Sequence, residues 1–221
     1  MNENYYEQLN PHLVASLQDA ANERILEIGC ASGQLGAAIK KEHPVHWTGV
    51  EITAEAYEKA KQVLDAAYLA DIENDTLDLE SGSFDRLVLG DVLEHLRDPW
   101  TALAKLITYL RPGGRIICSL PNINHWSILA GLLGGDFTYQ DQGILDRTHL
   151  RFFTLKESLK MFEGANLKVD RVESIEVEAE PMQMVVRQFN SLRNILGIKY
   201  PNFEQEARTY QWLIHAHKPS P

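Results

Sequence analysis

A short β-rich run that stops at a glycine-rich turn, with a helical pattern directly after it, limits most strongly what this chain can fold into. The run is Arg24–Ile28, the turn contains Gly29, Gly33 and Gly36, and residues 35–42 carry apolar side chains at helical spacing. A turn of this kind brings backbone N–H groups to a ligand at the N-terminus of a helix. The spacing half-matches the dinucleotide-binding fingerprint, and a plain tight turn between a strand and a helix is the alternative interpretation.

The alternation of strands and helices continues along the chain. Further strands are predicted at residues 47–50, 67–70, 84–89 and 115–120, with helices at 54–67 and 99–110 and a turn at 111–114. Strands separated by helices of this length imply βαβ units, and therefore an α/β fold with a parallel sheet covered on both faces. The second half predicts helices at 126–133, 155–162 and 182–196 and strands at 167–172 and 210–216. Thr154 is the expected N-cap of the middle helix, which Gly164 and Asn166 end.

Length, charge and cysteine content narrow the class of protein. The 221 residues carry a net charge of −10, and residues 1–110 alone hold 19 acids against 8 bases. Such an acidic first half argues against broad electrostatic docking on nucleic acid or on an anionic membrane. No apolar segment reaches the length of a membrane span, and the N-terminus lacks a signal-peptide pattern. We therefore expect a cytoplasmic protein in which Cys30 and Cys118 stay reduced.

Acidic residues follow the ends of the predicted strands. Glu51, Asp71 and Asp91 come directly after the second, third and fourth strands, and Glu27 lies near the end of the first. Because the C-terminal ends of parallel strands converge on one crevice, we expect these carboxylates to gather there, unless each is simply solvated at the start of a loop. Glu27 would repel a pyrophosphate, whereas an acidic crevice suits a nucleoside with an ammonium and a sulfonium group. Charge therefore favours S-adenosylmethionine over a nicotinamide dinucleotide.

Four motifs, in their order and spacing, resemble those of the class I S-adenosylmethionine-dependent methyltransferases. They are residues 25–33, Gly49-Val50-Glu51, Asp91-Val92-Leu93-Glu94-His95-Leu96 and Leu110-Arg111-Pro112-Gly113-Gly114-Arg115. Pro121-Asn122 and residues 146–154 resemble a subgroup that includes the ubiquinone-biosynthesis O-methyltransferases. The resemblance, over about residues 20–170, implies a three-layer Rossmann-like fold with seven strands in the order 3-2-1-4-5-7-6 and strand 7 antiparallel. We expect one domain over residues 1–221, with an N-terminal helical segment at 1–23 that includes Tyr5 and Tyr6.

The resemblance also implies which residues hold the cofactor. Those expected to do so are Glu27, Gly29, Cys30, Ala31, Gly33, Glu51, Ile52, Asp71, Ile72, Gly90 and Asp91. Within this set the glycine turn lines the methionine moiety, Glu51 takes the ribose, and Asp71 and Ile72 take the adenine. Gly90 and Asp91 flank the amino-acid end. Ala31 departs from the family, which often has glycine at this position.

Two histidines are the main candidates for catalysis. His149 lies in an insertion at 121–153 that is expected to form a lid over the acceptor site, and His95 is expected to line that site. A neutral histidine beside an acceptor hydroxyl can act as a base, and His125 in the same insertion is a further candidate. If a helix has begun at Asp91, then Asp91, Glu94 and His95 share one face. Together with His149 they resemble the metal-binding pattern of the small-RNA 2′-O-methyltransferases, in which the first position is normally Glu; metal assistance through Glu94, His95 and His149 is therefore the alternative to a metal-free site.

The insertion and the residues after it are also aromatic and locally basic. The aromatic residues, which suit a planar or apolar acceptor or simply pack under a long loop, are Trp126, Phe137, Tyr139, Phe152 and Phe153. The basic residues, which suit an anionic acceptor group or form a solvated face, are Arg147, Arg151, Lys156 and Lys160. The resulting hypothesis is methyl transfer by in-line displacement to a small molecule, with no DNA partner and no membrane span. An RNA- or protein-directed methyltransferase and a non-catalytic cofactor-binding module remain open.

Overall fold

Seven strands form one sheet in the computed structural model, which describes residues 9–177 and 179–220. They are β1 Arg24–Ile28, β2 His46–Glu51, β3 Ala66–Leu69, β4 Phe84–Gly90, β5 Leu110–Pro121, β6 Lys168–Glu176 and β7 Thr209–His217. Their order in the sheet is β3-β2-β1-β4-β5-β7-β6. The pairs are parallel except that β7 runs antiparallel to both β5 and β6. This order confirms the fold that the resemblance implies.

Helices cover both faces of the sheet. They are α1 Pro11–Ser16, α2 Gln34–Glu42, α3 Ala54–Ala60, α4 Pro99–Leu106, α5 Trp126–Leu133, α6 Leu155–Gly164, α7 Met182–Ile195 and α8 Phe203–Arg208. Consecutive residues of a strand point to opposite faces, and in β1 Ile25 belongs to one buried apolar cluster while Leu26 belongs to the other. Helices α1 and α2 contribute to the Ile25 cluster, and α4 and α6 contribute to the Leu26 cluster.

The strand order also determines where a ligand site can form. The chain leaves β3 at one edge of the sheet and returns on the other side of β1 as β4. The C-terminal ends of β1 and β4 therefore frame the crevice in which open α/β sheets bind ligands. The glycine turn after β1 and residues 91–95 after β4 both start at this crevice.

Helix α3 is shorter than the predicted helix at 54–67, which was wrong at its C-terminal end. It ends at Ala60 because Asp65 is tied to β2 instead. The backbone N–H of Trp47 donates to Asp65 Oδ2 at 2.7 Å, and the N–H of Asp65 donates to the Trp47 carbonyl at 3.1 Å. Strand β3 consequently begins at Ala66, one residue before its predicted start.

The predicted helix at 99–110 and the turn at 111–114 also differ from the structure. Helix α4 ends at Leu106, and β5 already begins at Leu110, which pairs with Phe84 of β4. The N–H of Gly113 donates to the carbonyl of Lys218 at 2.9 Å. Pairing with β4 and with the chain after β7 thus makes residues 110–114 the start of a strand.

The predicted start of α6 agrees with the structure, and the helix ends at Gly164, two residues beyond the predicted 162. The hydroxyl of Thr154 accepts a hydrogen bond from the N–H of Glu157, which caps the first turn. Asn166 takes a φ of +57° just after the helix ends, a left-handed position at which asparagine is tolerated. Strand β6 runs four residues beyond the predicted 172, and α8 was not predicted.

Salt bridges connect the segment before β1 to strands β4 and β5. Arg86 of β4 is buried, and its guanidinium pairs with Asp19 at 3.0 Å and with Glu23 at 2.8 Å. Arg115 of β5 also pairs with both acids. Tyr5 and Tyr6 lie outside the described residues. In the part of the chain that the structure describes, no helix has the length and apolar character needed to cross a membrane.

Candidate active site

The glycine turn lies against the loop that follows β4. Gly29 has a φ of +69°, and a Cβ added there would lie 2.8 Å from Cγ2 of Val92. Gly33 has a φ of +78°, and a Cβ there would meet Val63 Cγ2 at 2.8 Å. The turn therefore needs residues without side chains. A backbone cradle of this kind fits the methionine moiety of the cofactor that the sequence predicts.

Glu51 holds the glycine turn from the end of β2. Its Oε2 accepts from the N–H of Ala31 at 2.9 Å. Its Oε1 accepts from the N–H groups of Ile52 and Thr53 and from the Thr53 hydroxyl. Since a carboxylate offers about four acceptor sites, two on each oxygen, the described bonds leave capacity on Oε2. Glu51 is thus already positioned by the protein, and Oε2 is the atom available for a ribose hydroxyl.

Ala31 is strained in this turn, and we expect Ala31→Gly to stabilise the protein. Its φ is +46°, where a Cβ costs about 1–2 kcal/mol, more than the roughly 0.4–1 kcal/mol of entropy that glycine adds to the unfolded chain. The net gain is about 0.5–1 kcal/mol, so thermal unfolding should show a Tm higher by roughly 1–3 °C for a chain of this size. The matched control is Ala38→Gly inside α2, which should lower the Tm; an Ala31→Gly variant that also melts lower contradicts the strain.

Glu27 is a buried acid at the end of β1. It is 6% exposed, and its Oε2 accepts from the indole Nε1–H of Trp47 at 2.8 Å. Burial raises the pKa of Glu27 to about 7; the Trp47 hydrogen bond lowers it and the neighbouring charge of Glu51 raises it. The described contacts of Glu27 include no cation, so a ligand ammonium group suits it. Trp47 was not predicted, because only the register of β1 against β2 brings its side chain here.

The other predicted cofactor residues have different surroundings. Cys30 is buried beneath the turn and Cys118 is buried in β5, and both are free thiols. Ile52 is 64% exposed next to Glu51 and leaves an apolar surface open at the crevice. The carboxylate of Asp71 accepts from the N–H of Glu73 and the amide of Asn74 in its own turn, and Ile72 is buried in the Leu26 cluster. The structure thus brings Glu27 and Glu51 together, whereas Asp71 bonds within its own loop; the cofactor roles of these residues stay predictions.

Asp91 begins the loop after β4 in an unusual conformation. Its φ is +54°, and its N–H donates to the Ser119 hydroxyl at 3.0 Å. The side-chain amide of Gln211 donates to Asp91 Oδ1 and accepts from Asn10 at 3.3 Å. Asp91 is exposed to solvent at the crevice. The protein around its carboxyl nevertheless desolvates it and raises its pKa to about 6, and the hydrogen bonds from Ser119 and Gln211 lower that pKa. Gly90 precedes it and lies under Leu13, next to α1.

Gln211 was missed by the sequence analysis. It lies on β7, 120 residues from Asp91, and it reaches the crevice because β7 inserts between β5 and β6. No local spacing could have indicated this contact.

Glu94, His95 and His149 come together at the crevice. Each offers a ligand atom, and these atoms all lie within 4.8 Å of one another. Glu94 and His95 belong to a 3₁₀ turn, Leu93–His95, and not to the start of α4. The helix face that they were predicted to share with Asp91 therefore does not form. The N–H groups of residues 150 and 151 donate to the Glu94 carbonyl at 2.8 and 3.0 Å, which fixes His149 beside this turn. We call these three residues the Glu-His-His cluster.

Both histidines of the Glu-His-His cluster have a defined tautomer. His95 Nδ1 lies 3.3 Å from the carbonyl of Thr148, and His149 Nδ1 lies 3.0 Å from the carbonyl of Ile144. A carbonyl only accepts, so both Nδ1 atoms carry the proton and both Nε2 atoms carry a lone pair. Thr148 is itself held by Asp146, whose Oδ1 accepts from its N–H at 2.7 Å and its hydroxyl at 2.6 Å.

The electrostatics of the Glu-His-His cluster favour the neutral forms of its members. Glu94 is 1% exposed, and neither of its carboxylate oxygens has a hydrogen-bond partner among the described residues. Burial raises the pKa of Glu94 well above its ordinary value, and the charge of Asp91 raises it further. Burial lowers the pKa of both His95 and His149. The result is an unpartnered carboxyl beside two Nε2 lone pairs, which suits a divalent cation or a proton acceptor.

An aromatic wall adjoins the cluster. Phe137, Tyr139 and Phe152 contact one another with ring centroids 5.6–6.4 Å apart, and Phe152 lies 6.4 Å from the ring of His149. Phe153 instead belongs to the Leu26 cluster, and Trp126 packs against α7 and α8. Three of the five predicted aromatic residues therefore line the neighbourhood of His149.

His125 lies apart from the Glu-His-His cluster. It is buried at the start of α5, where its ring packs against Trp126 and Tyr210 and its Nδ1 contacts the Ser127 hydroxyl at 2.8 Å. Burial lowers its pKa to about 4, so it is neutral at pH 7. These contacts suit a packing role at the base of the insertion.

The predicted basic residues are largely engaged by the protein itself. Arg147 pairs with Asp141 at 2.7 Å, and Lys160 pairs with Glu157 at 2.7 Å. Arg151 donates to the backbone carbonyl of Arg97. This arrangement favours a solvated face over a site for an anionic group.

Comparisons with known proteins identify the family of the chain and match its fold. A family model described as a methyltransferase domain matches residues 1–172. The chain is 27% identical to a ubiquinone biosynthesis O-methyltransferase of Aeromonas salmonicida over 73% of this chain and 71% of that one. It is 30% identical to the 27-O-demethylrifamycin SV methyltransferase of Amycolatopsis mediterranei over 49% of this chain and 42% of that one. An S-adenosylmethionine-dependent methyltransferase structure from Mesorhizobium loti has the same fold, with a TM-score of 0.62 at 17% identity over 94% of this chain and 96% of that one.

Proposed function

This chain belongs to the S-adenosylmethionine-dependent methyltransferases, and we propose that it methylates a hydroxyl group on a small, apolar acceptor molecule. The Glu-His-His cluster beside the aromatic wall carries this proposal. A hydroxyl acceptor needs a group that takes its proton, and the two Nε2 lone pairs can do so. The aromatic wall suits a planar ring. The two relatives named above are, by their names, enzymes that methylate oxygen on small molecules.

The residues of the crevice would divide the binding of the cofactor between them. S-adenosylmethionine supplies an electrophilic methyl group, and holding the acceptor in line with it can provide much of the rate. Glu27 binds the ammonium group, Glu51 binds the ribose through Oε2, and the glycine turn packs its backbone on the methionine moiety. Asp91, fixed by Gln211, carries the second carboxylate near the amino-acid end. The 121–153 insertion covers the acceptor and excludes water from it.

A divalent ion at the Glu-His-His cluster is a second candidate feature of this function. The donor set fits such an ion, because Glu94 has two unpartnered oxygens and both histidines donate from Nδ1 to a backbone carbonyl, as metal-binding histidines commonly do. A bound divalent ion would lower the pKa of an acceptor hydroxyl that it coordinates. Glu94, His95 and His149 would hold it.

An RNA- or protein-directed activity is less well supported. Binding of nucleic acid needs free clustered cations, whereas Arg147 and Lys160 are paired with acids. A small molecule therefore fits this site better.

The proposal is tested by transfer of labelled methyl from S-adenosylmethionine to a panel of small phenols. Each phenol is paired with its own methyl ether and with the matching aniline. We expect label in the phenols alone, with one S-adenosylhomocysteine formed per product. Label in the anilines, or only in RNA or protein, contradicts the proposal. S-adenosylhomocysteine binding without any transfer indicates a non-catalytic module.

A further inference from the structure

Helix α7 is apolar on two sides. On one side Met182 and Val186 are buried and pack with Ala207 of α8. On the other side Met184, Leu192 and Ile195 are exposed, Ile195 to 82%. At 3.6 residues per turn these three fall on one face, away from the buried one. An ordinary surface helix has only one apolar face. We therefore expect the second apolar face of α7 to contact a binding partner.

The exposed surface extends beyond the helix. Leu196 and Ile198, which follow α7, are 63% and 53% exposed. We call Met184, Leu192, Ile195, Leu196 and Ile198 the α7 apolar stripe. Helix α5 packs against α7 and ends in a second exposed pair, Leu132 and Leu133. Exposed apolar side chains gathered in this way mark an interaction surface.

The α7 apolar stripe lies in a segment whose own charges are all positive, between Glu180 and Glu204. Residues 181–202 contain three bases and no acid, and residues 121–135 contain no Asp, Glu, Lys or Arg. The rest of the chain carries −13, which is the net −10 less these three positive charges. Arg187 and Lys199 are exposed, whereas Arg193 donates inward to Asn190. Asn190 also binds Glu204, on the side of α7 away from the stripe.

We propose that the α7 apolar stripe docks this protein on the surface of an anionic lipid bilayer. A helix with exposed aliphatic side chains and flanking basic residues lies in the headgroup region of such a bilayer. A second copy of the chain fits less well, because a two-fold interface would bring the positively charged segments of both copies into one contact. The net charge of the chain does not reveal this surface, because the acids that make the chain negative lie outside residues 181–202. The docking does not depend on the proposed acceptor.

Vesicle flotation of the full chain tests the proposal. We expect binding to phosphatidylcholine vesicles that contain about one third phosphatidylglycerol and much weaker binding to pure phosphatidylcholine. The double variant Leu192→Ser, Ile195→Ser should lose at least roughly tenfold in vesicle affinity, and Arg187→Gln with Lys199→Gln should lose several-fold. Leu69→Ser is the matched control, because Leu69 is 49% exposed at the opposite edge of the sheet.

Each outcome decides the proposal. S-adenosylhomocysteine affinity and Tm equal to wild type show that the variants fold. Wild type that stays unbound at low salt, or a double variant that floats as wild type does, overturns it. Sedimentation velocity supplies the competing outcome: a dimer that the double variant abolishes, without vesicle binding, assigns the stripe to a second copy of the chain.

Discussion

Replacing Glu27 by glutamine should stabilise the cofactor-free protein above pH 7 and weaken its binding of S-adenosylhomocysteine. Both effects follow from one acid that the fold buries. The carboxyl is 6% exposed, and burial raises its pKa from 4.5 to about 7. Glutamine keeps an oxygen that can accept from the Trp47 indole, so the substitution removes the charge and little else.

The sign of the stability change follows from proton binding. Below pH 4.5 the acid is protonated in both the folded and the unfolded state, so it contributes no pH dependence there. Between about pH 4.5 and 7 the folded state holds its proton more tightly, and stability falls as the pH rises through this window. The loss is on the order of 3 kcal/mol, of which the buried amide of glutamine gives some back, so we expect a gain of about 1–2 kcal/mol at pH 8. The Tm should rise by roughly 2–6 °C at pH 8 and hardly at all at pH 4.5.

The substitution that stabilises the protein should weaken its binding of the cofactor. An ionised Glu27 pairs with the ammonium group of the cofactor, and losing such a charge-assisted bond should raise the Kd for S-adenosylhomocysteine roughly 10- to 100-fold. Calorimetric titration at pH 8 measures it, and wild type should release a proton on binding at pH 7 while the variant does not. Glu55→Gln on the exposed surface of α3 is the control and should change neither Tm nor Kd. A Glu27→Gln variant with wild-type affinity would remove Glu27 from the cofactor site.

The core of the fold could be predicted because its signals are local. Strands β1 and β4 and helix α5 follow from apolar runs and turn residues, and the caps of α6 follow from Thr154 and Asn166. The errors lie where tertiary pairing overrides a local pattern. Residues 61–65 are good helix formers, yet Asp65 bonds to β2. Residues 111–114 form a turn by composition, yet Gly113 and Gly114 pair with Lys218 of the C-terminal chain.

The candidate site also has a part that could be predicted from local signals and a part that depends on tertiary packing. Residues at strand ends could be predicted, since the topology of a parallel sheet brings them to one crevice. The contacts that orient them could not, because Trp47 on Glu27, Gln211 on Asp91 and Thr148 on His95 each depend on how separate elements pack. The positive φ of Ala31 was not predicted either, although the glycine that the family often has at this position is a signal that could have indicated it.

Replacing His149 by asparagine should reduce turnover by roughly 10²- to 10³-fold while leaving the affinity for S-adenosylhomocysteine within about twofold of wild type. Asparagine places its amide N–H where the imidazole has Nδ1, so it can still donate to the Ile144 carbonyl. It has no atom at the position of Nε2. The variant therefore separates the chemistry of the lone pair from the folding of the loop, which His149→Ala alone would not do.

Two measurements on the same variant separate a base from a metal ligand at the Glu-His-His cluster. If the cluster holds a divalent ion, dialysis of wild type against a chelator abolishes turnover, the added ion restores it, and His149→Asn contains less metal. If His149 acts as a base, the chelator has no effect, and neither protein contains metal. Glu94→Gln sharpens the distinction, because a ligand carboxylate is lost in the first case, whereas in the second a buried side chain is replaced by one of nearly the same shape and turnover falls little. Wild-type turnover in His149→Asn would exclude both roles, and the hydroxyl acceptor would then lose the observation that supports it most directly.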